Sequence, residues 1–346
     1  MRKINFCEAL NEGIDQEMER DPSVFIYGLG VPDHKHIFGS TNGLLEKYGP
    51  NRVFDTPLSE DSMLGFGLGA AINDLRPIHV HIRVDFLLLA MNQLVNMISG
   101  YSYLVGGKIK VPIVIRAVVG RGWGQGFQHS KSLHSYFAHI PGLKVIMPTT
   151  PYDAKGLMIA AIREDNPVVC IEHRWLYWAV GEVPEEPFEV PIGISHTIHL
   201  GNDITILAAS WMAVEAMKAA EIMEKRGVSV EVIDLRTIAP IDYTLAVKSV
   251  NRTGHCIVAD NDWTFCGLSA EVAASISEKC FDKLKSPVSR IGWKHTPCPT
   301  VRCLENEFYS NAIDIIREIE RKLDLSPTDI SGEEFYTHEK KFKGPF

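Results

Sequence analysis

The side chains best suited to proton chemistry stand in two short stretches: Asp55-Thr-Pro-Leu-Ser-Glu60, and the glycine-dense Gly120-Arg-Gly-Trp-Gly-Gln-Gly126 that leads into Gln128-His129-Ser130. A glutamate shares or accepts a proton and a histidine changes charge near neutrality, so the two suit general acid–base work. Each also has a plainer local reading. Glu60 fits the first turn of a helix, where the dipole favours an acid and Ser59 would serve as cap. His129 fits a loop in which backbone groups satisfy its ring. The glycines before it allow backbone to approach a ligand closely, which makes that stretch a candidate site wall.

Other chemistries lack their residues. No Gly-Lys-Ser/Thr follows Gly126, so the glycine run is not a phosphate loop. Gly28-Leu-Gly30 is followed by Val31-Pro32-Asp33, and no third glycine opens a helix as a dinucleotide fingerprint requires. His79 and His81 alternate as on a strand, while His129, His134 and His139 are five apart, a spacing that does not share a helical face. With no His-Glu-x-x-His and no Cys-x-x-Cys, nothing points to zinc. No Gly-x-Ser-x-Gly is present to form a hydrolase elbow.

These residues must be held by an alternation of short apolar runs and amphipathic stretches. Leu10, Ile14 and Met18 predict a helix over 5–20, stopped by Asp21-Pro22. Strands are predicted at 24–27, 52–54, 77–82, 111–116, 143–147 and 167–171. Helices are predicted over 62–73, 86–104 and 152–163. In the first of these helices Gly65-Phe-Gly-Leu-Gly69 offers small residues for close packing. The stretch 181–191, rich in proline and glutamate, reads as a linker. A second alternation follows, with strands at 203–207, 228–233, 255–258 and 288–291 and helices over 212–225, 243–250, 269–280 and 305–323. The expected organisation is an α/β protein with a first domain over 1–178, a linker over 179–198, a second domain over 199–324 and a loosely held polar tail over 325–346. Alternating strands and helices imply parallel sheets covered on both faces.

Composition limits the function. Among 346 residues 45% are hydrophobic and 23% charged, as in ordinary globular proteins. A net charge of -8 excludes a role driven by phosphate neutralisation, so no nucleic-acid partner is expected. Seven cysteines without a paired motif argue against a disulfide framework and for a reducing compartment. With no apolar leader and no run of about 18 apolar residues, the expectation is a cytoplasmic chain with no membrane partner.

A sharper reading comes from longer motifs. Asp55-Thr-Pro-Leu-Ser-Glu60, Leu75-Arg-Pro77, Gln128-His-Ser130, Phe137-Ala-His-Ile-Pro-Gly-Leu-Lys-Val145, Thr150-Pro-Tyr-Asp-Ala-Lys-Gly156 and Val232-Ile-Asp-Leu-Arg-Thr237 closely resemble the beta subunits of pyruvate and branched-chain 2-oxo acid dehydrogenase E1 components. The resemblance runs in order over residues 1–323, and a more distant one reaches the C-terminal two-thirds of transketolase. It implies two doubly wound domains: a pyrimidine-binding domain for thiamin diphosphate (ThDP), then a smaller transketolase-C-like domain. It also implies an alpha-type partner that grips the diphosphate through Mg²⁺ with a Gly-Asp-Gly motif, which this chain lacks. An α2β2 heterotetramer acting on a small 2-oxo acid, with a lipoyl acyltransferase (E2) docked on the second domain, is the expected assembly.

By the same resemblance, Glu60 is expected to hydrogen-bond the coenzyme's pyrimidine N1′ as a buried carboxyl. Gly28, Leu58, Arg83 and Phe86 are expected to lie near the coenzyme. His129 is expected on the substrate and acyl-transfer path, while Trp123, unusual in the glycine loop, is expected to shape an acceptor pocket as a feature of this chain. Ile113, Ala161, Ile162, Glu164 and Asn166 fall where some relatives hold K⁺ mainly through backbone carbonyls. Two departures stand out. Gly28-Leu-Gly-Val31 replaces a common Gly-Glu-Asp-Val, and Arg83 stands where many relatives carry an aromatic residue that stacks on the pyrimidine. Arg83 could stack through its guanidinium, bind an anionic substrate group, or pair with Asp85 or the partner. These departures keep two alternatives open: a split transketolase-like or acyloin-forming enzyme passing a two-carbon unit to an aldehyde or sugar, and a non-catalytic regulatory subunit of the same fold.

Overall fold

The computed structural model describes residues 1–120 and 125–336. The first half runs β1 (Arg2–Asn5), α1 (Phe6–Arg20), β2 (Val24–Tyr27), α2 (Leu44–Tyr48), β3 (Val53–Phe54), α3 (Glu60–Ala71), β4 (Arg76–His81), α4 (Val84–Leu87) and α5 (Ser99–Leu104). It continues with β5 (Val114–Val119), α6 (His134–Ala138), β6 (Lys144–Ile146), α7 (Pro151–Arg163), β7 (Val168–His173) and β8 (Val180–Val183). The second half runs β9 (His196–His199), β10 (Ile204–Ala208), α8 (Trp211–Glu224), β11 (Val230–Asp234), β12 (Thr237–Ala239) and α9 (Thr244–Thr253). It ends with β13 (Cys256–Trp263), α10 (Leu268–Lys279), β14 (Ser289–Trp293), α11 (Arg302–Phe308) and α12 (Ala312–Leu323).

Seven strands form the larger sheet in the order β12-β6-β7-β5-β4-β2-β3, parallel except for β12 at one edge. Its strands are apolar on both faces because helices cover both. On β5, Val114 and Val118 pack with α1 and α7 residues such as Leu10 and Leu157, while Ile115, Ala117 and Val119 pack with Leu64 and Leu94 on the other side. The smaller sheet, β14-β13-β10-β11-β9, is parallel apart from β9. Residues of α8 and α12 cover one face, and α9 and α10 cover the other. That second cluster merges with the core of the first sheet, so one continuous apolar layer joins the two halves. The chain is therefore a doubly wound α/β protein.

Several local expectations are corrected. The linker stretch 181–191 is itself ordered: β8 pairs antiparallel with β1, and the buried Lys155 ammonium donates to the carbonyls of Pro184, Glu185 and Glu186 at 2.8, 2.8 and 3.1 Å. Proline and glutamate removed the periodicity, yet long-range bonds order the segment. The helix over 86–104 is a chain of turns of changing width, with a wide π-type stretch over Asn92–Ile98 between α4 and α5. The helix over 305–323 breaks after Phe308 and restarts at Asn311, whose side chain takes part in a reciprocal cap with Asp314. Ser310 in the break donates to the Gly292 carbonyl at 2.7 Å. The polar tail is docked as far as residue 336. Leu325, Ile330 and Phe335 pack on the α8/α12 core, and Tyr336 meets Trp211 edge-on at 5.3 Å. Among the described residues no helix is long and apolar enough to cross a membrane.

Candidate active site

The carboxyl ends of β2, β3, β4, β5 and β7 converge on one edge of the larger sheet. The chain order reverses there, because β2 has β3 on one side and β4 on the other. Ligands of open α/β sheets bind in such a crevice. Gly28 follows β2 with φ +151, and a Cβ there would run into the Val80 carbonyl of β4, so only glycine lets the two strands close together. Two residues on, the Gly30 amide donates to Asp55 Oδ1 at 2.9 Å, which ties the loop after β2 to the loop after β3.

Glu60 is the first residue of α3 and is only half-buried in this chain. Ser59 precedes it without a side-chain cap bond, which removes one part of the plainer local reading. Among the described residues the Glu60 carboxylate has no hydrogen bond or ion pair, and Leu58 beside it is 78% exposed. The expected burial of Glu60 is not supplied by this chain alone. Helix α3 is fixed onto β2 through Gly67, where a Cβ would collide with the Tyr27 hydroxyl, and through the Tyr27 hydroxyl's bond to the Met63 carbonyl at 3.0 Å. Of the small residues read in the sequence, Gly67 packs on the sheet, Gly65 faces the Gln93 side chain, and nothing lies within 4 Å of where a Cβ on Gly69 would stand.

His129 ends a short turn over Gly126–Gln128, and its ring meets Phe86 edge-on at 5.3 Å. Partial burial, then the charge of Arg83, holds its pKa below the usual histidine value, against a smaller opposing pull from Asp85. The loop is braced from the second half of the chain. Tyr309 donates to the Ser130 carbonyl at 3.2 Å, and a Cβ on Gly126 would strike Thr300.

Arg83 does not pair with Asp85, whose carboxylate meets Lys131 at 3.0 Å. Instead Arg83 is 5% exposed, and its guanidinium lies 5.3 Å from the Phe38 ring centre and donates to Gln125 Oε1 at 3.3 Å and to the Ile82 carbonyl at 2.7 Å. Arg174, at the end of β7, is 7% exposed, lies 5.5 Å from the same ring and donates to the same Gln125 oxygen at 3.0 Å. Phe38 belongs to a run, His36 to Gly39, with positive φ throughout. That strained turn is anchored through Ser40, which accepts from the buried Arg116 at 2.8 Å, and Arg116 is itself paired with Glu172 at 2.6 Å.

Arg174, Gln125 and Phe38 escaped the sequence reading. For Arg174 the usable signal was its place directly after a parallel strand; for Phe38 there was none. Trp123 lies outside the described residues. Contacts join His129 to Phe86, and both Arg83 and Arg174 to Gln125, but no direct contact among the described residues links Glu60 to His129.

Three of the carbonyls expected near potassium, those of Ile113, Ile162 and Glu164, accept hydrogen bonds within the chain. The carbonyls of Ile162 and Glu164 accept from Arg76 Nη1 at 2.9 and 3.1 Å, and Ile113 O accepts the Val168 amide at 3.0 Å. The Glu164 carboxylate takes Lys144 and Asn166 at 2.6 and 2.7 Å, and Ala161 is a buried residue of α7.

Known proteins share this fold. Residues 2–178 match the family model described as transketolase, pyrimidine binding domain, and residues 194–315 match transketolase, C-terminal domain. The chain is 39% identical over 324 residues to the acetoin:2,6-dichlorophenolindophenol oxidoreductase subunit beta of Cupriavidus necator, covering 91% of this chain and 96% of that one. It is 39% identical to the mitochondrial pyruvate dehydrogenase E1 component subunit beta-1 of rice, with 92% and 87% covered. It is 38% identical to the 2-oxoisovalerate dehydrogenase subunit beta of Bacillus subtilis, with 90% and 96% covered. Among solved structures, a split gene transketolase in an inactive beta4 tetramer shares the fold with a TM-score of 0.75 at 20% identity, over 94% of this chain and 99% of that one.

Proposed function

The chain belongs to the family of E1 beta subunits of 2-oxo acid dehydrogenases, built from transketolase-type pyrimidine-binding and C-terminal domains, and from that premise we propose how it works. It is the beta subunit of a ThDP-dependent enzyme that decarboxylates a 2-oxo acid and passes the acyl unit to a lipoyl domain, within an α2β2 heterotetramer. The observation that carries this reading is the uncommitted Glu60 carboxylate at the switch point of the sheet, beside an exposed Leu58.

The residues present fit the coenzyme's pyrimidine ring. One acidic oxygen is available at the start of a helix, and apolar side chains, Leu58 and Phe86, are at hand for a ring face. Glu60 would hold the ring N1′ and share a proton with it, Leu58 and Phe86 would flank it, and Gly28 would let the strands beneath it close. When bound, ThDP supplies the nucleophilic carbon that attacks the 2-oxo group. Covering Glu60 with the alpha-type subunit would desolvate its carboxyl, which favours the proton-bound form and readies it for sharing. His129, kept neutral, would donate a hydrogen bond to the reacting oxygen or to the acyl acceptor. With no Gly-Asp-Gly in this chain, Mg²⁺ and the diphosphate fall to the partner. A K⁺ ion held mainly by the backbone carbonyls of Ile113, Ala161, Ile162, Glu164 and Asn166 is part of the same proposal, beside the Arg76 bonds to the Ile162 and Glu164 carbonyls. The division of labour proposed is a coenzyme domain over 1–178 and a second domain over 199–324 that braces the His129 loop and offers the surface for the acyltransferase. A cytoplasmic setting is part of the same proposal.

The test is to purify the chain with its alpha-type partner, add ThDP and Mg²⁺, and follow reduction of 2,6-dichlorophenolindophenol with a panel of 2-oxo acids and acetoin. Dye reduction on adding a 2-oxo acid, lost in Glu60→Ala, is the expected result. Turnover that requires an aldehyde acceptor and reduces no dye would point to the split transketolase-like alternative. Full activity in Glu60→Ala would leave a regulatory role.

A further inference from the structure

We propose that Arg83, Arg174 and Gln125 form a binding site for a second oxyanion on the substrate, so that the 2-oxo acid used by this chain carries a carboxylate or phosphate beyond the carboxylate lost as carbon dioxide. This rests on the 2-oxo acid reading above and names its substrate class.

Two guanidinium groups are rarely buried side by side, since each loses hydration and each repels the other. Here both are more than nine-tenths buried, both lie against one face-sharing ring, Phe38, and both donate to one amide oxygen of Gln125. Burial pushes Arg83 down to about 10 and Arg174 to about 9, with the Arg83 charge adding to the latter, so both still carry charge at neutral pH. The Arg83 Nε has no hydrogen-bond partner among the described residues. Asp85, the acid nearest in sequence, is engaged by Lys131. A bound oxyanion would take the buried, unpartnered Nε–H and offset the mutual repulsion, and planar guanidinium forks suit carboxylate and phosphate alike.

The site adjoins the reacting region, because Gln125 directly precedes the Gly126–Gln128 turn that ends at His129. Holding the departing carboxylate there would work against the reaction. That group loses its charge as carbon dioxide leaves, so two cations placed on it would stabilise the ground state more than the transition state. A charge that survives the reaction, at the far end of the substrate, gains from both cations throughout. Neutral acetoin would leave the Arg83 Nε unsatisfied.

The reconstituted αβ complex, loaded with ThDP and Mg²⁺, tests this with 2,6-dichlorophenolindophenol as electron acceptor. Values of kcat/KM are compared for 2-oxoglutarate and 2-oxo-4-phosphonobutanoate, which carry a second anion, and for pyruvate and 2-oxopentanoate, which do not. At least a tenfold preference for one of the dianionic substrates is expected, and the better of the two identifies carboxylate or phosphate. Arg83→Leu is expected to lower the ratio of dianionic to monoanionic kcat/KM by roughly tenfold to hundredfold, as loss of a charge-assisted bond does. Calorimetric binding of glutarate, compared with pentanoate, gives a readout without turnover, and binding of glutarate alone, weakened in Arg83→Leu, supports the site. Equal or better use of pyruvate or 2-oxopentanoate would overturn the second-anion site while leaving the 2-oxo acid reading in place. Turnover of acetoin alone, or of no substrate in the panel, would overturn both.

Discussion

His134 and Asp260 meet across the two halves of the chain, with Nε2 of the histidine 2.9 Å from Oδ1 of the aspartate. The histidine is fully buried on α6, the aspartate lies on β13, and Ser132 completes the ring's hydrogen bonding at 3.0 Å. Burial alone would lower the histidine pKa; Asp260, with help from Asp262, raises it above 6.5 instead. A raised folded-state value means that the contact stabilises the fold fully below about pH 6.5 and loses that contribution as pH rises through the folded value. Thermal unfolding between pH 6 and 9 should show a falling melting temperature that His134→Gln abolishes. Asp260→Ala, leaving the buried ring without its partner, should cost about 3–5 kcal/mol at pH 6. A pH-independent difference between wild type and His134→Gln would count against the ionic character of this link.

Glu60→Gln should keep the fold and the association with the alpha-type partner, because among the described residues the carboxylate holds nothing together. Its effect should fall on turnover, with a loss of roughly 10²- to 10⁴-fold in kcat, the range of general acid–base groups. Circular dichroism and co-elution check the first part, and dye reduction checks the second.

The His129 environment predicts the acid limb of the rate profile. Its pKa is lowered by burial and then by Arg83, so the neutral ring persists below pH 6.5. If the neutral form works, kcat/KM should hold through pH 6.5 and fall only at lower pH. Replacing Arg83 by Leu removes a positive neighbour, which raises the histidine value and should move the acid limb upward. An unmoved limb would show that another group controls it.

At Gly67 a methyl group has no room beneath the Tyr27 hydroxyl. Gly67→Ala should destabilise the chain by about 1–3 kcal/mol, the usual cost of overpacking, and Tyr27→Phe in the same chain should recover part of it. Denaturant midpoints measure both, and full stability in the single variant would mean that α3 moves freely on the sheet.

Much of this protein is written locally. Alternating apolar runs such as 114–119 and 168–173 declare buried parallel strands without reference to anything distant, because both faces of such strands must be apolar. Asp21-Pro22 and Asn5 mark the ends of α1 by the same local chemistry. The Asp55 to Glu60 motif placed the acid at the head of a helix and named the family. Other features needed the folded chain, since their partners lie far away in sequence. Strand β8 is ordered by β1, some 180 residues earlier, and the proline-rich stretch beyond it by the buried Lys155 ammonium. Arg83 was visible as a departure from an aromatic residue, but its partners, Gln125, Arg174 and Phe38, come from three other loops, and a strained turn that no residue type announces delivers the ring they share. Hydrophobic period and turn chemistry are short-range properties that a sequence displays directly. The meeting of two buried cations, or of a histidine with an aspartate 126 residues away, is decided only when the sheets pack.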